Sequence, residues 1–203
     1  MATTSADLEI FAGAPAPPPS RPRVLLVGTA LASGAAAALV LSLIALYASI
    51  RHDVLASGEP WLPEEANLQL TPGSMGMVTL AMSLITVAWI VQALRNDDRT
   101  HALLAFGLTI LLGAAYINGV AFGWQQLGLG VTGSTQALLI YTITGLHVAM
   151  VGVGMAYLAV MAFRALGGQL TGRAAEGVAA VVLYWYVTVG VYAVVWYAIT
   201  ITK

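Results

Sequence analysis

Cysteine is absent and charge is scarce: only 8% of the 203 residues are Asp, Glu, Lys or Arg, against about 25% in an average soluble domain. Without thiols there can be no disulfide framework, no thiolate metal site and no cysteine nucleophile. Eight basic and nine acidic side chains leave a formal charge of −1, so the chain lacks the basic excess that a nucleic-acid binder needs against phosphates. Paired carboxylates, a Ser-His-Asp set and a phosphate-binding loop after a strand are all missing as well. What is present is apolar. Hydrophobic residues make up 59% of the chain, which excludes intrinsic disorder, and the mean hydropathy of +0.85 is that of a membrane protein.

The few charges mark out the architecture. They cluster around uncharged stretches at 24–50, 66–94, 100–163 and 177–202. A membrane-spanning helix needs ~20 apolar residues, because about 30 Å of hydrocarbon is crossed at about 1.5 Å per residue. Three of the stretches fit one span each. The 100–163 stretch is too long for one, and Gln125, Gln126, Gly128, Gly130, Thr132, Gly133, Ser134 and Thr135 break it into two. The expected fold is therefore an all-α integral membrane bundle of five transmembrane helices, near 24–50, 72–94, 102–124, 136–163 and 177–201. Residues 1–23 are different material, with Pro15, Pro17, Pro18 and Pro19 followed by Arg21, Pro22 and Arg23. They read as an extended arm and not as a signal peptide, since acidic residues and prolines stand where a basic start and a short apolar core belong.

Lys and Arg gather on one set of alternating loops: Arg21 and Arg23 in the arm, Arg95 and Arg99, then Arg164 and Arg173. The other set holds only Arg51 and the terminal Lys203. The basic side of a membrane protein faces the cytoplasm, so the arm is expected inside and the C-terminus outside.

Within the spans the only ionisable side chain other than tyrosine is His147, and an intramembrane histidine is a functional candidate by default. Its isolation favours a neutral imidazole hydrogen-bonded to a neighbouring helix, because the spans supply no carboxylate to stabilise a charged one. His52 and His101 sit at opposite ends of spans, so the three histidines do not converge on a metal. Proton translocation needs a row of buried acids or histidines, and one residue makes no row. Small residues recur at helical spacing: Gly28, Ala32, Ala35 and Ala36 form one stripe, and Gly145, Ala149 and Gly152 another. Such stripes are expected to be where helices approach closely. Trp61, Trp89, Trp124, Trp185 and Trp196, with Tyr47 and Tyr197, read mostly as interfacial anchors.

Several short segments resemble subunit III of the haem-copper (cytochrome c) oxidases. The loop after span one reads Pro60-Trp61-Leu62-Pro63-Glu64, similar to that family's Trp-Pro-Pro-Glu motif. Thr144-Gly145-Leu146-His147-Val148 resembles its Gly-Leu-His-Val stretch, Leu112-Gly113-Ala114 its Leu-Gly-Ala, and Tyr184-Trp185-Tyr186 the start of its last span. In order and spacing the resemblance covers about residues 24–203. The family's buried ionisable groups are replaced, by Gly34, Gly123, Thr144, Tyr186 and Val189 at the corresponding positions.

The resemblance implies an accessory subunit that packs beside catalytic subunit I and other respiratory-complex subunits in a bacterial plasma membrane. It carries no catalytic, cofactor or metal residue of its own. Haem and copper are expected in partner subunits, and the chain itself is expected to hold phospholipid. His147, Arg51, Arg95, His101, Trp61 and Trp185 are its structural or lipid-contact candidates. Lipid is expected between the first two spans and the last three, with headgroups near Arg51, Arg95 and His101. Alternatives are a related component of a nitric oxide reductase or another membrane oxidoreductase, or a transporter of small neutral solutes.

Topology reporters fused after Arg99 and after Lys203 should report opposite sides of the membrane, and the same side for both would contradict five spans.

Overall fold

Long runs without a charged side chain leave the backbone few options in a membrane. With no water to bond N–H and C=O groups, each segment must satisfy them within itself, and a helix does so. Our structure, a computed structural model, describes residues 23–63, 66–170 and 173–202. It contains α1 (Val24–Ala56), α2 (Leu70–Arg95), α3 (Arg99–Gln126), α4 (Thr135–Leu166) and α5 (Arg173–Trp196), the last continuing into a π-helical turn, Tyr197–Ile201. All five helices are long and apolar enough to cross a membrane. The helices outrun the expected spans at most ends, above all in α1, which carries Arg51, His52 and Asp53 inside its last turns rather than in a loop. Except for Arg23, the proline-rich arm lies outside the described residues.

The helix ends are set by local chemistry. Asp98 caps α3 by accepting from the backbone N–H of His101 at 3.1 Å, and Ser134 caps α4 by accepting from that of Ala137 at 3.1 Å. Pro72 sits in the first turn of α2, where its missing N–H costs nothing. Asp97 takes a left-handed φ of 54° and lets α2 turn back into α3 within three residues. No side chain of its own neighbourhood caps α1. Instead Glu176, at the start of α5, accepts from the backbone N–H of Leu26 at 3.0 Å.

α5 occupies the centre, packed against α1, α2 and α4, while α3 closes the bundle against α2 and α4. Of its most apolar stretch 56% is buried, against 11% for α1, which lies at the edge on α5 and α4. One end of the bundle carries Arg23, Arg95, Arg99 and Arg164, and the other carries Trp61, Trp124 and Trp196. These are called the arginine end and the tryptophan end below.

Three expectations are corrected. First, α2 makes its most extensive packing with α3, not with α1, so the first two helices do not face the last three across a cleft. Second, the small-residue stripes point mostly outward, with Ala36 packed on the core and Gly145 facing Trp124 as the exceptions. A Cβ added at Gly28 or Gly152 would meet nothing within 4 Å, and Ala32, Ala35 and Ala149 are exposed. The close approaches occur at other glycines. A Cβ on Gly154 would come within 2.9 Å of the Trp185 ring, and one on Gly113 within 3.1 Å of it. Third, Trp185 is wholly buried between those glycines, with its Nε1–H donating to Ser83 Oγ at 2.9 Å. It is a core residue and no interfacial anchor.

Replacing Gly154 with Val should therefore destabilise the bundle by about 1–3 kcal/mol through overpacking, whereas Gly28→Ala or Gly152→Ala should leave stability unchanged or slightly raised. Denaturation midpoints in mixed micelles distinguish the two groups.

Candidate functional site

A polar knot lies in the interior, and four helices contribute to it. His147, on α4, is fully buried. Its Nε2 lies 2.9 Å from the backbone carbonyl of Thr188 on α5, and its Nδ1 2.7 Å from the Tyr116 hydroxyl on α3. A carbonyl can only accept, so Nε2 carries the proton, Nδ1 is the acceptor, and Tyr116 O–H donates to it. Tyr192, four residues beyond Thr188, stacks beside the imidazole at 5.0 Å and meets the Tyr116 ring edge-on at 4.8 Å. Its own hydroxyl donates to the Gly73 carbonyl on α2 at 3.1 Å. Gly76 makes room for this: a Cβ there would stand 2.7 Å from the Tyr192 hydroxyl oxygen. Further toward the arginine end, Thr86 and Thr109 join α2 to α3 at 2.7 Å.

This arrangement holds helices together and leaves no group free to react. Both imidazole nitrogens are engaged, and no carboxylate shares the site. Among the described residues no three His, Cys, Asp or Glu side chains come together as metal ligands. His52 and His101 lie at opposite ends of the bundle from one another.

The remaining candidates are distributed between the two ends. At the tryptophan end, Trp61 is buried in the loop after α1, and its Nε1–H donates to the Tyr47 hydroxyl at 2.9 Å with the rings edge-to-face. Glu64 of the same motif lies outside the described residues. Trp124 donates to Thr144 Oγ1 at 2.9 Å, and the Tyr141 hydroxyl binds the turn through the carbonyls of Trp124 and Leu129. Arg51 lies at this end, in a pocket beside α1. At the arginine end, Arg95, Asp97 and Arg99 stand at the mouth of a groove of about 780 Å³ whose apolar walls come from α2 and α5. His101 is tied down by Asp98 at 2.6 Å and lies beside Trp89. The backbone N–H and the ring of His101 hold the Asp98 carboxyl below its usual value. The three expected headgroup contacts thus do not share one site: Arg95 faces the groove, His101 faces Asp98, and Arg51 is at the far end.

Sequence reasoning singled out His147 but not Tyr116, Tyr192, Thr188 or Gly73. The available signal was the stripe Tyr184, Trp185, Thr188, Tyr192 at helical spacing on one face of α5.

The fold and this closed interior define a polytopic helical membrane protein whose polar core braces its helices. A family model described as Cytochrome c oxidase subunit III matches residues 37–202. The chain belongs to that family, and so is a subunit of a cytochrome c oxidase. It is 26% identical over 186 residues to the cytochrome c oxidase subunit 3 of Corynebacterium diphtheriae, covering 90% of this chain and 88% of that one. With the subunit 3 of Synechocystis it shares 27% identity over 169 residues, 81% of this chain and 70% of the other. A probable subunit 3 from Rickettsia conorii is 31% identical over 109 residues, 53% of this chain and 38% of that protein.

Substituting His147 by Gln or Asn, which keep a donor and an acceptor, should leave assembly and oxygen consumption of the oxidase nearly intact. His147→Leu strands the Tyr116 hydroxyl and should loosen attachment mildly, by about 0.6 kcal/mol or a little more per bond lost. A Gln variant that assembles normally but loses most oxygen consumption would assign His147 a proton-handling role instead.

Proposed function

We propose that this chain is an accessory, metal-free subunit of a terminal haem-copper oxidase, packed beside the catalytic subunit, with its arm in the cytoplasm and its C-terminus outside. The observation that carries this reading is the use made of His147, the buried ionisable side chain other than tyrosine among the described residues. His147 spends both nitrogens on Tyr116 and Thr188, so it has no nitrogen free for a metal. The histidines here do not fit a haem or copper centre, and the redox chemistry of the complex belongs to its partner chains.

Phospholipid is part of the proposal, held in the groove between α2 and α5. Its walls include Val91, Leu94, Val182 and Tyr186, with Arg95 and Arg99 at the mouth. With Asp97 also at the mouth, the two arginines leave one net positive charge above an apolar slot, which suits an anionic headgroup with its acyl chain below, and the cytoplasmic leaflet is where such lipid concentrates. Arginines gathered at the same end agree with the orientation.

A complex purified from membranes through a tag on this chain should show haem absorption bands and consume oxygen. A chain that emerges alone or as a homo-oligomer, without haem, would favour the transporter of small neutral solutes. Haem partners that reduce nitric oxide but not oxygen would point to the reductase alternative.

A further inference from the structure

The arginine end carries more basic side chains than the described carboxylates can answer. By sequence position Arg21, Arg23, Arg95, Arg99, Arg164 and Arg173 all belong to it. Among the described residues its carboxylates are Asp97, Asp98 and Glu176, and two of these are engaged. Asp98 holds the backbone N–H and the ring of His101, while Glu176 accepts from the Leu26 N–H. The ion pairs that the described carboxylates make are both with histidines. Arg95 and Arg99 thus stand at the mouth of the α2–α5 groove without an ion-pair partner among the described residues, although Asp97 shares the mouth.

The sequence holds two further carboxylates that can come to this mouth. Asp53 and Glu59 lie at the tryptophan end, and Glu64 and Glu65 follow Pro63 in the loop there. That leaves Asp7 and Glu9. They belong to Asp7-Leu8-Glu9-Ile10-Phe11, in which charged and apolar side chains alternate. An extended chain sends alternate side chains to opposite sides, so two carboxylates share one side and Leu8 and Ile10 the other. The mouth has a matching layout, with two exposed arginines at its rim and Leu94, Leu170 and Val178 within. Length permits the contact. α1 begins against α5, with Leu25 beside Gly177 and the Leu26 N–H on Glu176, and α5 continues through Val178 and Val182 as one wall of the groove. The start of α1 is therefore about one helix diameter, roughly 10–12 Å, from the groove. From Phe11 to Arg23, proline-rich chain reaches up to about 35 Å, at about 3.1 Å per residue.

We infer that the arm docks on its own chain, seating Asp7 and Glu9 on Arg95 and Arg99, and Leu8 and Ile10 in the upper part of the groove. The contact needs neither a particular orientation in the membrane nor lipid in the groove. An anionic headgroup seeks the same two arginines, so arm and lipid compete for the mouth.

The test uses the full chain with the subunits that accompany it, in nanodiscs of neutral phosphatidylcholine. Phe11 is replaced by photoreactive p-benzoylphenylalanine, which leaves the proposed contacts in place, and adducts are mapped after irradiation. They should form within this chain, on residues 91–99 and 168–183. Their yield should fall about three- to tenfold in Asp7→Asn/Glu9→Gln, as loss of two exposed ion pairs requires, and equally in Arg95→Gln/Arg99→Gln. Exchanging the signs, with Asp7→Arg/Glu9→Arg joined to Arg95→Glu/Arg99→Glu, should restore it. The arm substitutions lie outside the helices, so the test stays decisive if the arginine variants fail to fold. Adducts on another subunit, on a second copy of this chain or spread over the lipid overturn the inference, as does a yield that the arm substitutions leave unchanged. Discs of anionic phosphatidylglycerol separate this contact from the lipid reading. A yield that falls there supports the competition, and an unchanged yield retains the arm and removes lipid from the mouth. Absence of groove adducts in neutral discs overturns the arm contact whatever the lipid does.

Discussion

Trp185 sets the distance between helices on which the rest of the bundle depends. Its indole is the largest fully buried side chain, and it fits only because Gly113 and Gly154 present bare backbone to its ring. In lipid, burying apolar surface gives helices no reason to associate, since the hydrocarbon outside is as apolar as the protein inside. Close contact and shared hydrogen bonds must do it. Trp185 supplies the first by touching α3 and α4, and the second by donating to Ser83 on α2. With these three helices set around α5, His147 falls within reach of Tyr116 and Thr188, and Tyr192 within reach of Gly73.

A helix that is apolar all the way round conceals which face it buries. Charge spacing was enough to give the number and order of the five helices, while helix rotation stayed hidden. The stripe through Gly28, Ala32 and Ala35 has the spacing of a packing face, yet α1 turns it outward and buries Ser33, Val40, Ile44 and Tyr47. Gly154 reads no differently in sequence from Gly152, two residues away, but only Gly154 meets the Trp185 ring. Period alone does not choose between such faces when no polar side exists to define the other. His147 was legible because it stands alone in a long uncharged stretch. Its partners are a tyrosine hydroxyl and a main-chain carbonyl on other helices, and which ones is decided by the packing around Trp185.

The π-helical turn at the end of α5 belongs to the same geometry. Thr202 N–H bonds the Tyr197 carbonyl at 3.1 Å, five residues back, and so admits an extra residue into the turn. That turn delivers Thr200 against Gly73 on α2, where a Cβ would stand only 2.6 Å from the threonine oxygen. Tyr192 reaches the carbonyl of the same glycine. One residue without a side chain thus receives α5 at two heights.

Glu176 links α1 to α5. Its carboxylate satisfies the Leu26 N–H at the open start of α1, from 150 residues away. In the order of synthesis, α1 is made well before the residue that caps it. α1 lacks a cap until α5 has been made, and it has little buried surface of its own to hold it meanwhile. A polypeptide broken off before residue 176 carries α1 with neither its cap nor the central helix on which it rests.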